Sequence, residues 1–361
     1  MGRKRRNRFR EAIPIPEPAP LPEPEVIDVE AVFNDYQSGV IDLIVVLGPT
    51  ASGKTRYAVE LAHQIGGIVS SDNASLRSAP PPTSSAVPPL TWPRVATVAE
   101  GTIPPICEIL SADSRQVYRG MDIGTGKDLE EYGDVPYHLI DIVPAGTRFD
   151  LFQWRQAFEE AYKDIRERGR IPILCGGTGL YIQAAVEGYS LRQVPPDEEL
   201  RAKLEQYSAE ELIGRLAEFG PLPDASVLQS KRRIVRALEV AMYEKDHQVV
   251  ISSYPPKKPY YIGTLVSREE RNSRIDARLD ARLQGGLIEE VKGLLDSGIR
   301  PEDLMYYGLE YKFVTQHVLG ILTYDEMRLM LSNAIHQFAK RQMTWFRGME
   351  KDDVRIHWTK V

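Results

Sequence analysis

Eight consecutive residues that follow an apolar run at 42–47 have the types and spacing of a phosphate-binding loop, and they are Gly48, Pro49, Thr50, Ala51, Ser52, Gly53, Lys54 and Thr55. The flanking residues predict a β-strand that leads into the loop and a helix that leads out of it, which is the context of a P-loop. The N–H groups of such a turn and the N-terminus of its helix attract anions. Lys54 would carry positive charge to the terminal phosphates, and the Thr55 hydroxyl can hold Mg²⁺. The loop does not specify which phosphorylated compound is bound or what is transferred.

A carboxylate is expected close to this loop. Residues 108–113 predict a second strand that ends at Asp113, and residues 67–72 have a similar pattern. We favour the later segment because residues 114–122 continue it with polar and structured-looking sequence. Asp113 is therefore the first candidate for acid–base chemistry.

Two further strands are predicted over 137–142 and 171–175, and the second runs into a tight glycine turn that carries Thr178. Strands that alternate with helices indicate an α/β fold with a parallel sheet, and ligands gather where such strands end. We therefore expect Asp113, Asp141 and Thr178 at the same edge of the sheet as the phosphate loop.

Helix ends are predicted from capping residues. Asp150 can cap a helix, and Ser208 with Glu211 and Thr323 with Glu326 have the spacing of capping boxes. The helix after Asp150 has one apolar face, formed by Leu151, Trp154, Phe158, Tyr162 and Ile165.

The region between about 189 and 259 lacks a strand pattern and is predicted to be helical. Its helix over 231–240 is expected to turn Ile234, Leu238 and Met242 inward. A strand over 260–266 follows, and then a long helix with regularly spaced arginines, Arg268, Arg271, Arg274, Arg278 and Arg282.

These patterns divide the chain into four parts. Residues 1–40 are predicted to be a disordered basic and proline-rich tail, and residues 41–188 an α/β core with a Pro/Ser-rich insertion at about 67–107. Residues 189–259 form a helical insertion, and residues 260–361 complete the core.

Composition excludes several classes of protein. The net charge is −6, so binding of nucleic acid over the whole surface is not expected, and any RNA contact must come from local basic stripes. The two cysteines, Cys107 and Cys175, allow neither a disulfide framework nor a four-cysteine zinc site. Without a bilayer-length apolar run or the apolar core of a signal peptide, the sequence predicts a cytoplasmic protein with no membrane contact.

Taken together and in order, the motifs resemble the tRNA dimethylallyltransferase family. The motifs that carry the resemblance are 48–55, 111–125, 176–181, 233–239, 286–291 and 339–347. The resemblance implies a P-loop NTPase-like parallel sheet flanked by helices, with an inserted helical domain that binds tRNA.

It also implies a reaction. The phosphate loop would hold dimethylallyl diphosphate with Mg²⁺ at Thr55, and the dimethylallyl group would pass to N6 of the adenosine beside the anticodon. Asp113 matches the general base, Thr178 would orient the reactants, and Arg268 would add positive charge at the diphosphate.

Contacts to the anticodon stem-loop of tRNA are implied as well. Ser114, Arg115 and Gln116 would surround the extruded adenosine. Positions that match family residues facing the stem-loop are Arg201, Arg232, Arg233 and Arg236. Gly308 matches a glycine near the tRNA, and the chain is expected to act as a monomer.

Two other enzymes share parts of the pattern. A P-loop small-molecule kinase could use the same loop, with Asp113 deprotonating a hydroxyl. An adenylate dimethylallyltransferase would keep the prenyl chemistry but act on a free nucleotide. The arginines of the insertion also have a simpler interpretation, in which they lie on an ordinary solvated helix face and do not contact tRNA.

Overall fold

The computed structural model describes residues 20–72, 106–188, 191–223, 225–249 and 251–361. Within these ranges the strands are β1 Leu43–Leu47, β2 Cys107–Ser111, β3 Tyr118–Arg119, β4 Tyr137–His138, β5 Val143–Pro144, β6 Ile171–Gly176, β7 Leu191–Arg192, β8 Ile251–Ser252, β9 Pro259–Leu265 and β10 Ile356–Lys360. The helices are α1 Val29–Gln37, α2 Lys54–Asp72, α3 Leu151–Glu167, α4 Gly179–Val186, α5 Glu198–Leu204, α6 Ala209–Ala217, α7 Ala225–Leu228, α8 Lys231–Asp246, α9 Arg268–Gln284, α10 Leu287–Asp296, α11 Pro301–Tyr306, α12 Leu309–Val318 and α13 Tyr324–Lys351.

The centre of the molecule is a six-stranded sheet in the order β10-β9-β1-β6-β2-β4. Every pairing in it is parallel, as the alternation of strands and helices predicts. β1 lies between β9 and β6, with Val46 opposite Ile262 on one side and Cys175 on the other. The carboxyl ends of β1, β2 and β6 therefore lie side by side.

Helices cover both faces of the sheet. α1 and α2 pack on one face through residues such as Phe33 and Leu61, and α3, α4, α9, α10, α12 and α13 pack on the other. The strands have fully buried runs because both of their faces are covered. The predicted fold class, a parallel sheet flanked by helices, is confirmed.

The region after α4 has a small apolar core of its own. α5, α6 and α8 supply its buried residues, which are Leu204, Leu212, Leu216, Ile234, Val235 and Leu238. The helical insertion is thus observed, together with the short antiparallel pair of β7 and β8. Met242 was expected to face inward but is 36% exposed, because it lies beyond Glu239, the last buried residue of α8.

The predicted helix caps are confirmed. Asp150 with Gln153, Ser208 with Glu211 and Thr323 with Glu326 each form a reciprocal capping box. Trp154, Phe158, Tyr162 and Ile165 of α3 are buried, whereas Leu151 is only partly buried. Among the helices of the described ranges, none has the length and apolar character needed to cross a membrane.

Two boundary predictions are wrong. Residues 29–37 form α1 inside the expected tail, because Asp28 caps the helix and Val32 and Phe33 are buried. α2 continues to Asp72 instead of ending near 67, since Ile68 and Val69 still pack against its apolar cluster. The basic residues 3–10 and the proline-rich residues 79–89 lie outside the described part of the chain.

The strand predicted over 137–142 is also shorter than expected. β4 ends at His138, and Leu139 and Asp141 take positive φ values of 67° and 57°. The carboxylate of Asp141 pairs with Lys127, and Asp141 does not line the cavity described below. Asp141 is therefore not at the functional edge of the sheet.

Candidate active site

A cavity of about 710 Å³ opens where β1, β2 and β6 end. Three loops form its floor, namely 48–55 after β1, 112–116 after β2 and 177–178 after β6. Helices α9 and α13 form part of its wall. The volume lies in the range of ordinary small-molecule sites, roughly 300–1,000 Å³.

The loop after β1 has a fixed conformation. Ala51 and Gly53 take positive φ values of 62° and 79°, a region that glycine enters without strain. The Ser52 hydroxyl is fully buried and lies 2.6 Å from the Thr264 hydroxyl on β9. A Cβ on Gly48 would overlap both the Thr264 and the Ser52 hydroxyl oxygens, so only glycine fits there. The predicted strand, glycine-rich turn and helix are all observed.

Lys54 and Thr55 are the first residues of α2, and both line the cavity. Desolvation lowers the pKa of Lys54, and the nearby Cys175 and Asp113 offset this only in part. In the described part of the chain, no carboxylate lies within ion-pair distance of the Lys54 ammonium. This cation is positioned to receive an anion from solution.

Asp113 lines the same cavity two residues after β2. Its Oδ1 accepts a hydrogen bond from Arg115 N at 2.8 Å, and its own N–H donates to Ser111 Oγ at 3.3 Å. Thr178 Oγ1 accepts a hydrogen bond from Ser114 N at 3.4 Å. The predicted set of Asp113, Ser114, Arg115 and Thr178 is therefore brought together beside the phosphate loop.

Gln116 belongs to this group as well, and it is held from two sides. Its Oε1 accepts from Ser111 Oγ at 2.8 Å, and its Nε2 donates to Gly126 O at 3.1 Å. Gly308, which precedes α12, also lines the cavity.

The structure does not bring Arg268 to the cavity. Arg268 is exposed at the first position of α9, whereas Arg274, Arg278 and Arg282 line the cavity wall. These three follow one another at intervals of four residues, and side chains at that spacing share a helix face. A Cβ on Gly53 would lie 3.9 Å from Arg274 Nη1, so the Arg274 guanidinium lies beside the phosphate loop.

Arg278 and Arg282 are more deeply set than Arg274. Arg278 pairs with Asp128, and Arg282 lies 3.9 Å from the same carboxylate and 3.7 Å from Glu310. Desolvation and the charge of Arg282 lower the pKa of Arg278 to about 10. The wall is thus positively charged but partly neutralised, and Arg274 itself pairs with Glu270 at 2.6 Å.

Replacing Arg274 by alanine is expected to weaken diphosphate binding about 10-fold to 150-fold, because one charge-assisted contact is worth roughly 1.5–3 kcal/mol. Arg268→Ala on the same helix should change the affinity less than twofold. Titration calorimetry with inorganic diphosphate measures both variants. The reverse order of effects would restore Arg268 to the site that the sequence predicted.

Glu290 holds the segment that carries Gly124, Thr125 and Gly126 along the cavity. Its carboxylate accepts hydrogen bonds from the backbone N–H groups of Asp122, Ile123 and Gly124 at 2.8, 2.8 and 3.0 Å. Tyr311 Oη donates a fourth at 2.7 Å. This contact explains the motif 286–291, to which sequence reasoning gave no role.

Glu290→Gln is expected to lower the free energy of unfolding by about 1–3 kcal/mol, because an amide NH₂ would face backbone N–H donors that then stay unpaired. Glu289→Gln, at the exposed neighbouring position, is the control and should change it little. Urea denaturation followed by circular dichroism gives the comparison. Equal values for the two variants would show that the four bonds contribute nothing net.

The arginines of the insertion have two different environments. Arg201 and Arg236 both pair with the buried carboxylate of Glu239, and Arg201 Nε lies 2.9 Å from it. Burial acts to raise the pKa of Glu239, but the hydrogen bonds from Arg201, Asp197 N and Arg236 lower it. Arg236 also donates to Val194 O at 2.8 Å. These two residues therefore stabilise the helical insertion, and the structure does not present them as free tRNA contacts.

Arg232 and Arg233 are exposed at the start of α8. Exposed aromatic residues also reach the cavity mouth, with Tyr306 52% and Phe338 and Trp345 38% exposed. Arg115 lies over the Tyr306 ring at 5.6 Å. Sequence reasoning missed these rings, although Trp345 lies in the motif 339–347.

Comparison with known proteins adds independent information. A family model described as IPP transferase matches residues 116–349. The chain is 47% identical over 320 residues to tRNA dimethylallyltransferase 1 of Porphyromonas gingivalis, and the alignment covers 88% of this chain and 93% of that protein.

Solved structures agree with this result. The full-length tRNA isopentenylpyrophosphate transferase of Bacillus halodurans is similar at 31% identity and a TM-score of 0.57, over 88% of this chain and 89% of that one. A eukaryotic dimethylallyltransferase, captured in crystallographic snapshots of its action on tRNA, has a TM-score of 0.59 over 87% of this chain and 73% of that one. At 20% identity, the second likeness supports the fold alone.

Proposed function

The chain belongs to the IPP transferase family, and we propose that it transfers a dimethylallyl group from dimethylallyl diphosphate to N6 of the adenosine next to the anticodon of tRNA. Family membership makes it a prenyltransferase that acts on tRNA. The observation that carries the finer proposal is that the phosphate loop, Asp113 and Thr178 line one cavity. A leaving diphosphate and an acceptor base could then occupy neighbouring parts of the same site.

The phosphate loop, Lys54 and Arg274 would bind the diphosphate. When the allylic C–O bond breaks, its electron pair leaves with the diphosphate, so negative charge grows on that group. Donors that are already held in place stabilise this charge without reorganising. Lys54 is set at the helix N-terminus and lacks an internal ion pair in the described ranges, which suits it to this role.

Asp113 would act on the acceptor. The exocyclic amine of adenine is a weak nucleophile until its proton has an acceptor, and a positioned carboxylate can take that proton as the carbon–nitrogen bond forms. Arg115 N holds Asp113 Oδ1 at 2.8 Å and so fixes the carboxylate. We assign the proton to the second carboxylate oxygen, and Thr178 to orienting the reactants.

The donor atoms at the cavity suit Mg²⁺. The Thr55 hydroxyl and the carboxylates of Asp113 and Glu131 line it, and all are oxygen donors. The described ranges contain no cluster of three or more His, Cys, Asp or Glu residues that could hold a metal alone. A bound ion would therefore depend on diphosphate and water oxygens, as Mg²⁺ often does. We propose that Thr55 holds Mg²⁺, which would supply further positive charge at the leaving group.

The tRNA would approach from the open side of the cavity. A base inside a helix or a stacked loop must be extruded before its amine can react. Ser114, Arg115 and Gln116 line the cavity and would contact such a base, and the exposed Arg232 and Arg233 are candidates for phosphate contacts. One copy of the chain supplies both the phosphate loop and Asp113, which supports action as a monomer.

The comparisons support transfer to tRNA over the two alternatives that the sequence left open. The relative from Porphyromonas gingivalis is a tRNA dimethylallyltransferase, and the structure from Bacillus halodurans is a tRNA isopentenylpyrophosphate transferase. The helical insertion, with its own apolar core, is consistent with a large substrate.

The test is a transfer assay with labelled dimethylallyl diphosphate and Mg²⁺. Parallel reactions contain unmodified tRNA, the same tRNA with guanosine in place of the target adenosine, AMP, or ATP alone. Label in the unmodified tRNA only is the expected result. Label in AMP would indicate the free-nucleotide enzyme, and ATP turnover without label would indicate the kinase.

A further inference from the structure

Gln342 of α13 connects the phosphate loop to the glycine turn after β6. Its Oε1 accepts hydrogen bonds from Thr50 N at 2.8 Å and from Thr50 Oγ1 at 3.1 Å. Its Nε2 donates to Gly177 O at 2.9 Å. Only 8% of Gln342 is exposed, and the residue also lines the cavity.

The packing around this amide is tight. A Cβ on Gly177 would overlap Gln342 Nε2 and would lie 3.1 Å from Gly48 O. The phosphate loop, the glycine turn and the Gln342 side chain therefore pack too closely for a side chain at position 177. Thr178 follows Gly177 directly, so any shift of the turn moves Thr178 as well.

We propose that Gln342 is a positioning residue, which fixes the distance between the diphosphate-binding loop and the turn that orients the acceptor before either substrate binds. The inference rests on the proposed function, because it assigns the two loops to the two substrates. Gln342 acts through Thr50 and Gly177. It needs no contact with the reacting atoms.

The amide of Gln342 matches the hydrogen-bonding groups of both loops. The loop presents two donors and the turn presents an acceptor, so the bridging side chain must accept on one side and donate on the other. A carboxylate of the same shape could accept from Thr50 but would face the Gly177 carbonyl without a proton. A protonated carboxylic acid could do both, because it has one O–H donor and one carbonyl acceptor.

The test compares Gln342→Met and Gln342→Glu with the same substitutions at Gln337, which is exposed on the same helix and does not line the cavity. Gln342→Met should lower kcat for transfer to tRNA by about 10-fold to 100-fold, as expected for misplaced reacting groups. The KM values and the binding of inorganic diphosphate should change less than about threefold, since each loop still binds its own substrate. The Gln337 variants should match the wild type.

Gln342→Glu gives a signature that a purely structural role would not produce. Burial raises the pKa of a carboxyl group, so the variant should gain its missing donor as the pH falls. Its kcat relative to the wild type, measured on folded protein, should rise several-fold between about pH 8.5 and about pH 6. Gln337→Glu should show no such rise.

Amide hydrogen exchange provides a readout that needs no turnover. Thr50 N–H should exchange slowly in the substrate-free wild type and faster in Gln342→Met. If Gln342→Met does not fold, the pH profile of Gln342→Glu and the wild-type exchange rate decide the question.

A kcat within twofold of the wild type in folded Gln342→Met, or fast exchange of Thr50 in the wild type, would overturn the inference. Failure of the wild type to label tRNA would instead overturn the proposed function. The hydrogen-exchange result would still hold in that case, because it does not depend on transfer to tRNA.

Discussion

Asp113→Asn is expected to lower kcat for transfer to tRNA by about 10²–10⁴-fold, the contribution of a positioned general base. The asparagine carbonyl can still accept the hydrogen bond that Arg115 N donates to Asp113 Oδ1 at 2.8 Å, so the loop should keep its conformation. The amide cannot take the proton from adenine N6. Single-turnover assays with saturating diphosphate donor measure the chemical step directly.

Binding of inorganic diphosphate to this variant should be unchanged or tighter, because a negative charge close to Lys54 is removed. Asp296→Asn is the matched control, since Asp296 is exposed at the end of α10. Loss of diphosphate binding together with transfer would move Asp113 from the acceptor to the phosphate site. Activity close to that of the wild type would leave the enzyme without its assigned base.

The sequence predicted the floor of the site because local patterns determine it. An apolar run followed by a glycine-rich turn identifies β1 and its loop, and the same logic located Asp113 after β2 and Thr178 after β6. The parallel arrangement then brings the ends of these strands to one edge. This arrangement follows from the order of strands and helices and does not depend on side-chain packing.

The residues of the cavity wall depend on which face of α9 packs against the core, and the regular arginine pattern does not predict that face. Arg268 and Arg274 belong to the same charged helix, and only the burial of Ile275, Leu279 and Leu283 decides which arginines face the cavity. Arg274, Arg278 and Arg282 each precede one of these buried residues. The spacing of Ile275, Leu279 and Leu283 in the sequence therefore predicts the buried face of α9, and with it the arginines that line the cavity.

Other features required contacts between distant parts of the chain. Gln342 lies 292 residues from Thr50, and Arg201 lies 38 residues from Glu239. Arg236 and Glu239 are three residues apart on α8, so that ion pair could have been foreseen. α1 was not predicted, because the sequence around Val32 and Phe33 has the composition of a tail. Their burial depends on contacts with distant residues, which local composition does not reveal.

Lys54→Met should lower kcat/KM for the diphosphate donor by about 10²–10³-fold, the effect of removing one preorganised donor from developing negative charge. Diphosphate affinity should fall as well, because the ammonium contacts the group in the ground state. Lys292→Met, at an exposed position on α10, is the control. Calorimetry with diphosphate and steady-state kinetics with tRNA in excess separate the two effects.

The pH dependence of the wild type tests the same residue without mutating it to an apolar one. Burial lowers the pKa of Lys54, so the charged form is complete at low pH and is lost as the pH rises through the lowered value. The kcat/KM for the diphosphate donor, which reports the free enzyme, should therefore decline at a pH below the usual lysine value of about 10.4. Lys54→Arg keeps its charge throughout this range and should lack the decline, whatever its absolute rate. An alkaline decline that persists unchanged in Lys54→Arg would assign it to another group and would remove Lys54 from the account of how the leaving diphosphate is stabilised.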